Sequence, residues 1–205
     1  MIQITRVFDL LAYNEANFPK EDLVAMKENG QWHRYSTKEF IDNCNAVSLG
    51  LIELGIQKGD KIGVMSPNRP EWNFTDFGIM QIGATQVPLY PTLAEQDLKY
   101  ILNDAEVKVV FVSNADVAAK VLAIRDSVPS LKEIYSFEEV KGLKKWTELK
   151  DLGSKRDVAE IKPLADQVTP DDLLTLIYTS GTTGTPKGVM LTHNNLVSNF
   201  SVCNK

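Results

Sequence analysis

The sequence predicts an α/β fold, a layered and largely parallel sheet flanked by helices. Three observations carry that expectation. From Ile56 to Phe137, short apolar runs alternate with segments of helical period, the rhythm of strand–helix–strand units. Residues 107–112 form a β-branched, near-continuous apolar run, as expected of a central strand covered on both faces. Pro19, Gly55 and Pro91 stand where one period gives way to the next.

Each element has its own local reason. Val7, Phe8, Leu10 and Leu11 suggest an amphipathic helix over residues 5–17, stopped by Pro19. Residues 23–27 and 32–35 flank Asn29-Gly30, the pattern of a hairpin with a type I′ turn. Ser36 and Glu39 form a capping box ahead of Phe40, Cys44, Val47, Leu51 and Leu54, and Gly55 is placed to end that helix. Lys61–Met65 reads as a buried strand, followed by a helix through Trp72, Phe77 and Met80, then a strand at Thr85–Leu89. Thr92 and Glu95 predict a second capping box before Leu98, Ile101 and Leu102. Residues 116–126 read as helix and 131–137 as strand. Residues 141–167 are charged and mixed in period, which predicts an exposed helix with a connecting loop. Thr169-Pro170-Asp171-Asp172 predicts a helix cap with proline at the first helical position. A strand at residues 173–178, another at 189–191, and a helix capped by Thr192 and carrying Leu196 and Phe200 complete the chain.

The totals exclude several functions. A chain of 205 residues with 43% hydrophobic composition can bury a substantial core. A net charge of −5 lacks the electrostatic footprint of a nucleic-acid binder. Cys44 and Cys203 are isolated and match no metal-ligand spacing, a usage that fits a reducing cytoplasm. No run approaches the roughly 18 apolar residues of a membrane span, which leaves peripheral membrane contact open.

The chemistry concentrates in Tyr178-Thr179-Ser180-Gly181-Thr182-Thr183-Gly184-Thr185-Pro186-Lys187-Gly188. Glycines let backbone amides approach an anion closely, hydroxyls add uncharged donors, and Lys187 supplies a positive point. That composition points to a polyphosphate; the alternative is a plain Gly/Thr-rich hairpin turn. A Walker loop needs glycine before its lysine and Ser/Thr after it, where this chain has Pro186 and Gly188. Strand character in Gly188-Val189-Met190-Leu191 also argues against the helix that follows a Walker lysine.

The stretch closely resembles the signature phosphate loop of the adenylate-forming superfamily, which includes acyl-CoA synthetases, luciferases and peptide-synthetase adenylation domains. Thr192-His193-Asn194-Asn195 continues the resemblance. Asn68-Arg69-Pro70-Glu71-Trp72 and Val87-Pro88-Leu89-Tyr90-Pro91-Thr92 resemble the long-chain fatty-acid–CoA ligase branch. The resemblance implies the N-terminal part of the acetyl-CoA synthetase-like fold, with ATP, Mg2+ and coenzyme A as reactants. A carboxylate would attack the α-phosphorus, releasing pyrophosphate, and coenzyme A would then displace AMP. By similarity Thr179, Ser180, Gly181, Thr182, Thr183, Gly184 and Lys187 would surround the phosphates, with Thr179 also meeting magnesium.

His193 has two readings, contact with substrate or local packing beside the Thr192 cap. His33 reads as surface, and Trp72 and Tyr90 read as core more readily than as acyl-site walls. With two histidines and no Ser/His/Asp arrangement, no hydrolase triad is expected. The expected organisation is one truncated adenylate-forming portion over residues 1–205, with a phosphate-loop hairpin at 173–192. The C-terminal domain and the adenine, ribose and catalytic-lysine motifs are expected beyond Lys205, so the piece alone is expected to be inactive. A short-chain or aromatic acid ligase, an amino-acid adenylation enzyme and a non-catalytic nucleotide-binding module stay as alternatives.

Overall fold

A computed structural model describes residues 3–28, 30–180 and 184–203, with the backbone alone for 201–203. In chain order the elements are α1 (Asp9–Asn17), β1 (Val24–Glu28), β2 (Gln31–Tyr35), α2 (Thr37–Glu53), β3 (Lys61–Met65) and α3 (Pro70–Gln81). Then come β4 (Thr85–Leu89), α4 (Glu95–Asp104), β5 (Val109–Val112), α5 (Ala115–Ile124), β6 (Glu133–Ser136) and β7 (Lys144–Lys145). The chain continues through α6 (Trp146–Gly153), α7 (Ile161–Ala165), β8 (Leu173–Thr179), β9 (Lys187–Thr192) and α8 (His193–Cys203).

β1 and β2 form a separate antiparallel pair, and the main sheet has seven strands in the order β7-β6-β5-β3-β4-β8-β9. Its neighbours are parallel except β8 and β9. Helices cover both faces. On one, α2, α3 and α6 pack Val47, Phe74 and Leu149 against Ile62, Val64 and Phe111. On the other, α4 and α5 pack Leu98, Leu102 and Val121 against Met65, Val110 and Leu176. Two-sided cover is what the apolar strand sequences demand.

Most elements form where local chemistry places them. The Ser36–Glu39 box is complete: the Glu39 N–H donates to Ser36 Oγ at 3.2 Å, and the Ser36 N–H to Glu39 Oε2 at 2.8 Å. β1 and β2 pair through Glu28 and Gln31, which leaves a two-residue connection. Asn29 of the expected type I′ turn lies outside the described residues.

Four expectations need correction. The first helix starts at Asp9 rather than Thr5, because the Asp9 carboxylate accepts the N–H groups of Thr5 and Arg6 at 3.0 and 2.8 Å and holds them in a turn. Thr92 caps nothing. Pro91 opens a turn in which the Leu93 N–H bonds to Tyr90 O at 3.1 Å, and α4 begins only after Ala94. Thr169–Asp172 is also a turn, not a helix start: the Thr169 N–H donates to Asp172 Oδ2 at 2.6 Å, and β8 begins at the next residue. The 141–167 region is not merely exposed. It adds β7 to the sheet edge, and α6 buries Trp146 and Leu149. The contact with α2 is possible because Gly50 and Gly153 meet there; a Cβ on Gly50 would sit 2.3 Å from Leu149 O.

Candidate functional site

Parallel sheets place their loops, and hence their ligands, at the carboxyl ends of the strands, especially where successive crossovers go to opposite faces. Here β3 lies between β4 and β5, with α3 packed on one face and α4 on the other. A crevice of about 290 Å3 opens at the carboxyl ends of β3 and β4, walled by Pro67, Asn68, Trp72, Leu89, Tyr90 and Ile177. Trp72 is half-buried and packs on the core as expected. Tyr90, expected in the core, is 69% exposed at the crevice. It lies one residue past the buried Leu89, and alternation turns it away from the face that Leu89 fills.

The loop below the crevice is held by Arg69, a residue with no assigned role at the sequence level. Its Nε and Nη2 donate to the two carboxylate oxygens of Glu71 at 2.9 and 3.0 Å, and Nη1 donates to Glu138 at 3.1 Å. The guanidinium also lies over the Phe137 ring, 5.4 Å from its centroid. The Arg-x-Glu step in Arg69-Pro70-Glu71 was the available signal. Glu138 and Phe137, about 70 residues on, were not predictable from it.

β8 and β9 carry the glycine-rich stretch as an antiparallel hairpin on the far side of β4. Thr175 bonds across to β4, its hydroxyl donating to Gln86 O at 3.0 Å. Residues Ile177, Tyr178 and Thr179 pair with Val189, Gly188 and Lys187 respectively. Opposed residues share a face, and faces alternate along a strand. Leu176 and Tyr178 pack toward α4, while Ile177 lines the crevice, so Thr179 and Lys187 stand together on the crevice face. Thr179, Ser180, Gly184 and Lys187 are all exposed at the tip, and Gly184 takes φ +84°, a conformation that favours glycine. Gly181, Thr182 and Thr183 lie outside the described residues.

His193 stands at the other end of the hairpin, roughly 20 Å from Lys187 by strand rise. It is 1% exposed. Its Nδ1 accepts the Val7 N–H at 3.1 Å, and its ring meets Phe8 edge-on at 5.5 Å. Burial, helped by the positive charge of Arg6, lowers its pKa to about 4 and keeps the ring neutral. The structure thus gathers the described loop residues and leaves His193 apart from them. Its packing is not local, since its partners are 186 and 185 positions earlier in the chain. His33 is exposed, as expected.

Among the described residues, no group of three or more His, Cys, Asp or Glu side chains could hold a metal ion. Thr179 offers a lone hydroxyl, so these residues do not by themselves build a cation cage. Also among the described residues, no helix is long and apolar enough to cross a membrane.

The family profile described as AMP-binding enzyme matches residues 13–205. The chain belongs to that family. Over 178 residues it is 33% identical to the long-chain-fatty-acid–CoA ligase ACSBG2 of Xenopus laevis, covering 84% of this chain and 24% of that protein. Over 169 residues it is 37% identical to the long-chain-fatty-acid–CoA ligase FadD15 of Mycobacterium bovis, covering 82% of this chain and 28% of the other. Among solved structures, a Mycobacterium tuberculosis fatty acyl CoA synthetase superposes with a TM-score of 0.77 at 25% identity, over 98% of this chain and 38% of that one. The chain therefore spans about a quarter of the length of the curated relatives it matches. The mostly parallel sheet flanked by helices is the fold of the adenylate-forming ligases.

Proposed function

We propose that this chain is the phosphate-loop-bearing portion of a fatty-acid–CoA ligase that activates its acid with ATP. The observation that carries the reading is the hairpin register, which sets Thr179 and Lys187 side by side on the face toward the crevice. The long-chain names of the curated relatives support a long-chain acid as the substrate.

In the proposed reaction the acid's carboxylate oxygen bonds to the α-phosphorus of ATP, and the bond to the β-phosphate bridging oxygen breaks. Negative charge grows on the departing pyrophosphate. Lys187, the hydroxyls of Thr179 and Ser180, and the amides of the loop through Gly184 stabilise that charge best when they are already oriented toward it. Gly181, Thr182 and Thr183 complete the proposed donor set. Magnesium would arrive with the triphosphate, and Thr179 is the hydroxyl proposed to meet it. In the second step the thiol of coenzyme A attacks the acyl carbonyl and AMP leaves. Groups for adenosine, for the acyl chain and for this thiolysis are proposed to lie outside this chain, which alone would be inactive.

The test is fatty-acid-dependent exchange of pyrophosphate into ATP by the full-length protein. Exchange that responds to long-chain acids over short-chain, aromatic and amino acids is the expected result. Absence of exchange with every acid would overturn the reading.

A further inference from the structure

The root of the hairpin is closed from a distant part of the chain. Two backbone bonds join its ends: the His193 N–H donates to Asp172 O at 3.3 Å, and the Asn194 N–H to Pro170 O at 2.7 Å. Residues 5–9 then lie across this junction. Arg6 Nη1 donates to Ala165 O and to Val168 O, just ahead of the turn that starts β8, while its other nitrogens pair with Asp9. Val7 donates to His193 Nδ1 just after β9, and Phe8 packs on the same ring. Val7 and Phe8 are buried with Met80 of α3 and with Val168, Leu174 and Val197, the last three from both sides of the hairpin root.

We propose that Arg6, Val7 and Phe8 form a latch that acts through His193 to set the attitude of the phosphate-loop hairpin, which makes His193 a positioning residue. The hairpin joins the sheet through β8, which leaves β9 at the edge paired on one side and able to rock about the root, and the latch restrains both ends of that root at once. His193 immediately follows β9, whose first residue is Lys187, so a tilt at the root is amplified along the strand to the lysine. Placement errors of about 1 Å in a charge-stabilising group can cost on the order of 100-fold in rate. The latch needs a hydrogen-bond acceptor at Nδ1. A histidine that stays neutral keeps that acceptor throughout the neutral pH range.

The kinetic part rests on the function proposed above, whereas amide exchange tests the latch without it. In the full-length protein, His193→Asn retains an acceptor close to the Nδ1 position, and His193→Gln moves it toward Nε2. His193→Gln is expected to lower hydrogen-exchange protection of the Val7 amide and of the Lys187–Thr192 amides by about tenfold, and His193→Asn to restore it. In pyrophosphate exchange, His193→Gln should lower kcat about tenfold while the acid's KM holds, with Asn rescuing. Arg6→Gln attacks the latch while leaving the histidine in place, so it serves if His193→Gln does not fold; it should raise exchange in the same amides. Unchanged protection at Val7 and at Lys187–Thr192 in His193→Gln, or in Arg6→Gln where that serves, would overturn the latch whatever the enzyme's activity. Lost protection with an unchanged kcat, in a protein that performs the exchange, would overturn the positioning role. No exchange activity in the unmodified protein would sink the proposed function alone, and the amide arm would still decide the latch.

Discussion

The Tyr178 hydroxyl donates to Asp104 Oδ2 at 2.5 Å, tying the residue just before the glycine-rich loop to the last turn of α4. The end of β8 is therefore tethered to the helix that connects β4 to β5, not only to its own hairpin partner. Burial and the Asp104 carboxylate push the Tyr178 phenol well above its ordinary pKa, so it remains a donor.

Removing that donor is the first prediction. Tyr178→Phe should cost about 1 kcal/mol of stability, because the bond is partly solvent-facing. Asp104→Asn should cost less, since an amide oxygen still accepts. Urea melts of the two variants check the order.

Gly188 predicts a coupled effect. A Cβ there would sit 3.1 Å from Tyr178 Cζ and 3.4 Å from its oxygen. Gly188→Ala should displace the ring and break the same tether. The double variant with Tyr178→Phe should then be less destabilised than the sum of the singles, as expected for residues in contact. A double-mutant cycle measured by denaturant unfolding tests this; strict additivity would contradict it.

Lys187 lies at the exposed tip, so its truncation should leave the fold intact. Under the proposed function, Lys187→Ala should lower pyrophosphate exchange about 100-fold, the scale of losing one oriented donor to developing charge. The melting temperature should move little. Exchange within about twofold of the unmodified protein would remove Lys187 from the reaction.

Asp76 on α3 is buried, its Oδ1 has no hydrogen-bond partner, and burial raises its pKa from 3.8 to about 8. Between those values the unfolded chain ionises this carboxyl while the folded chain holds it protonated. Asp76 therefore weakens the fold as pH rises from about 4 to 8. Asp76→Asn should remove that dependence, so the stability of the variant relative to the unmodified protein should grow across this window. Paired thermal melts at pH 5 and pH 8 measure it; an equal difference at the two pH values would show that Asp76 ionises normally.

His193 predicts the opposite slope. Its pKa falls from 6.5 to about 4 on folding, with Arg6, Asp172 and Asp9 as the charged groups around it. Between those values the unfolded chain takes up a proton that the folded chain refuses, so stability declines as pH falls through this window. His193→Asn should abolish that decline. Chemical denaturation of both proteins at pH 7 and pH 4.5 distinguishes the outcomes.

The sequence by itself determined whatever depends on near neighbours. The Ser36–Glu39 box, the strands Lys61–Met65 and Thr85–Leu89 and the Thr192 cap are short-range chemistry, and they form where their residues stand. The glycine- and hydroxyl-rich composition of residues 178–188, on which the proposed phosphate contacts rest, was equally local. Where two local signals competed, the order of neighbours misled. Thr92 resembles a cap, but the turn at Pro91 precedes the helix, and Thr169-Pro170 lies too close to a strand. Tertiary structure alone decided the rest. Gly50 shows its purpose only when Gly153 arrives from 103 residues away, and the 141–167 region reads as exposed until α6 docks on α2 and buries Trp146. His193 offered a choice between substrate contact and local packing, and the partner it found was Val7. Which face Lys187 shares with Thr179 followed from strand register, a product of long-range pairing. Caps, turns and periodicity are set within a few residues along the chain, whereas burial, register and helix contacts are set by groups that only folding brings together.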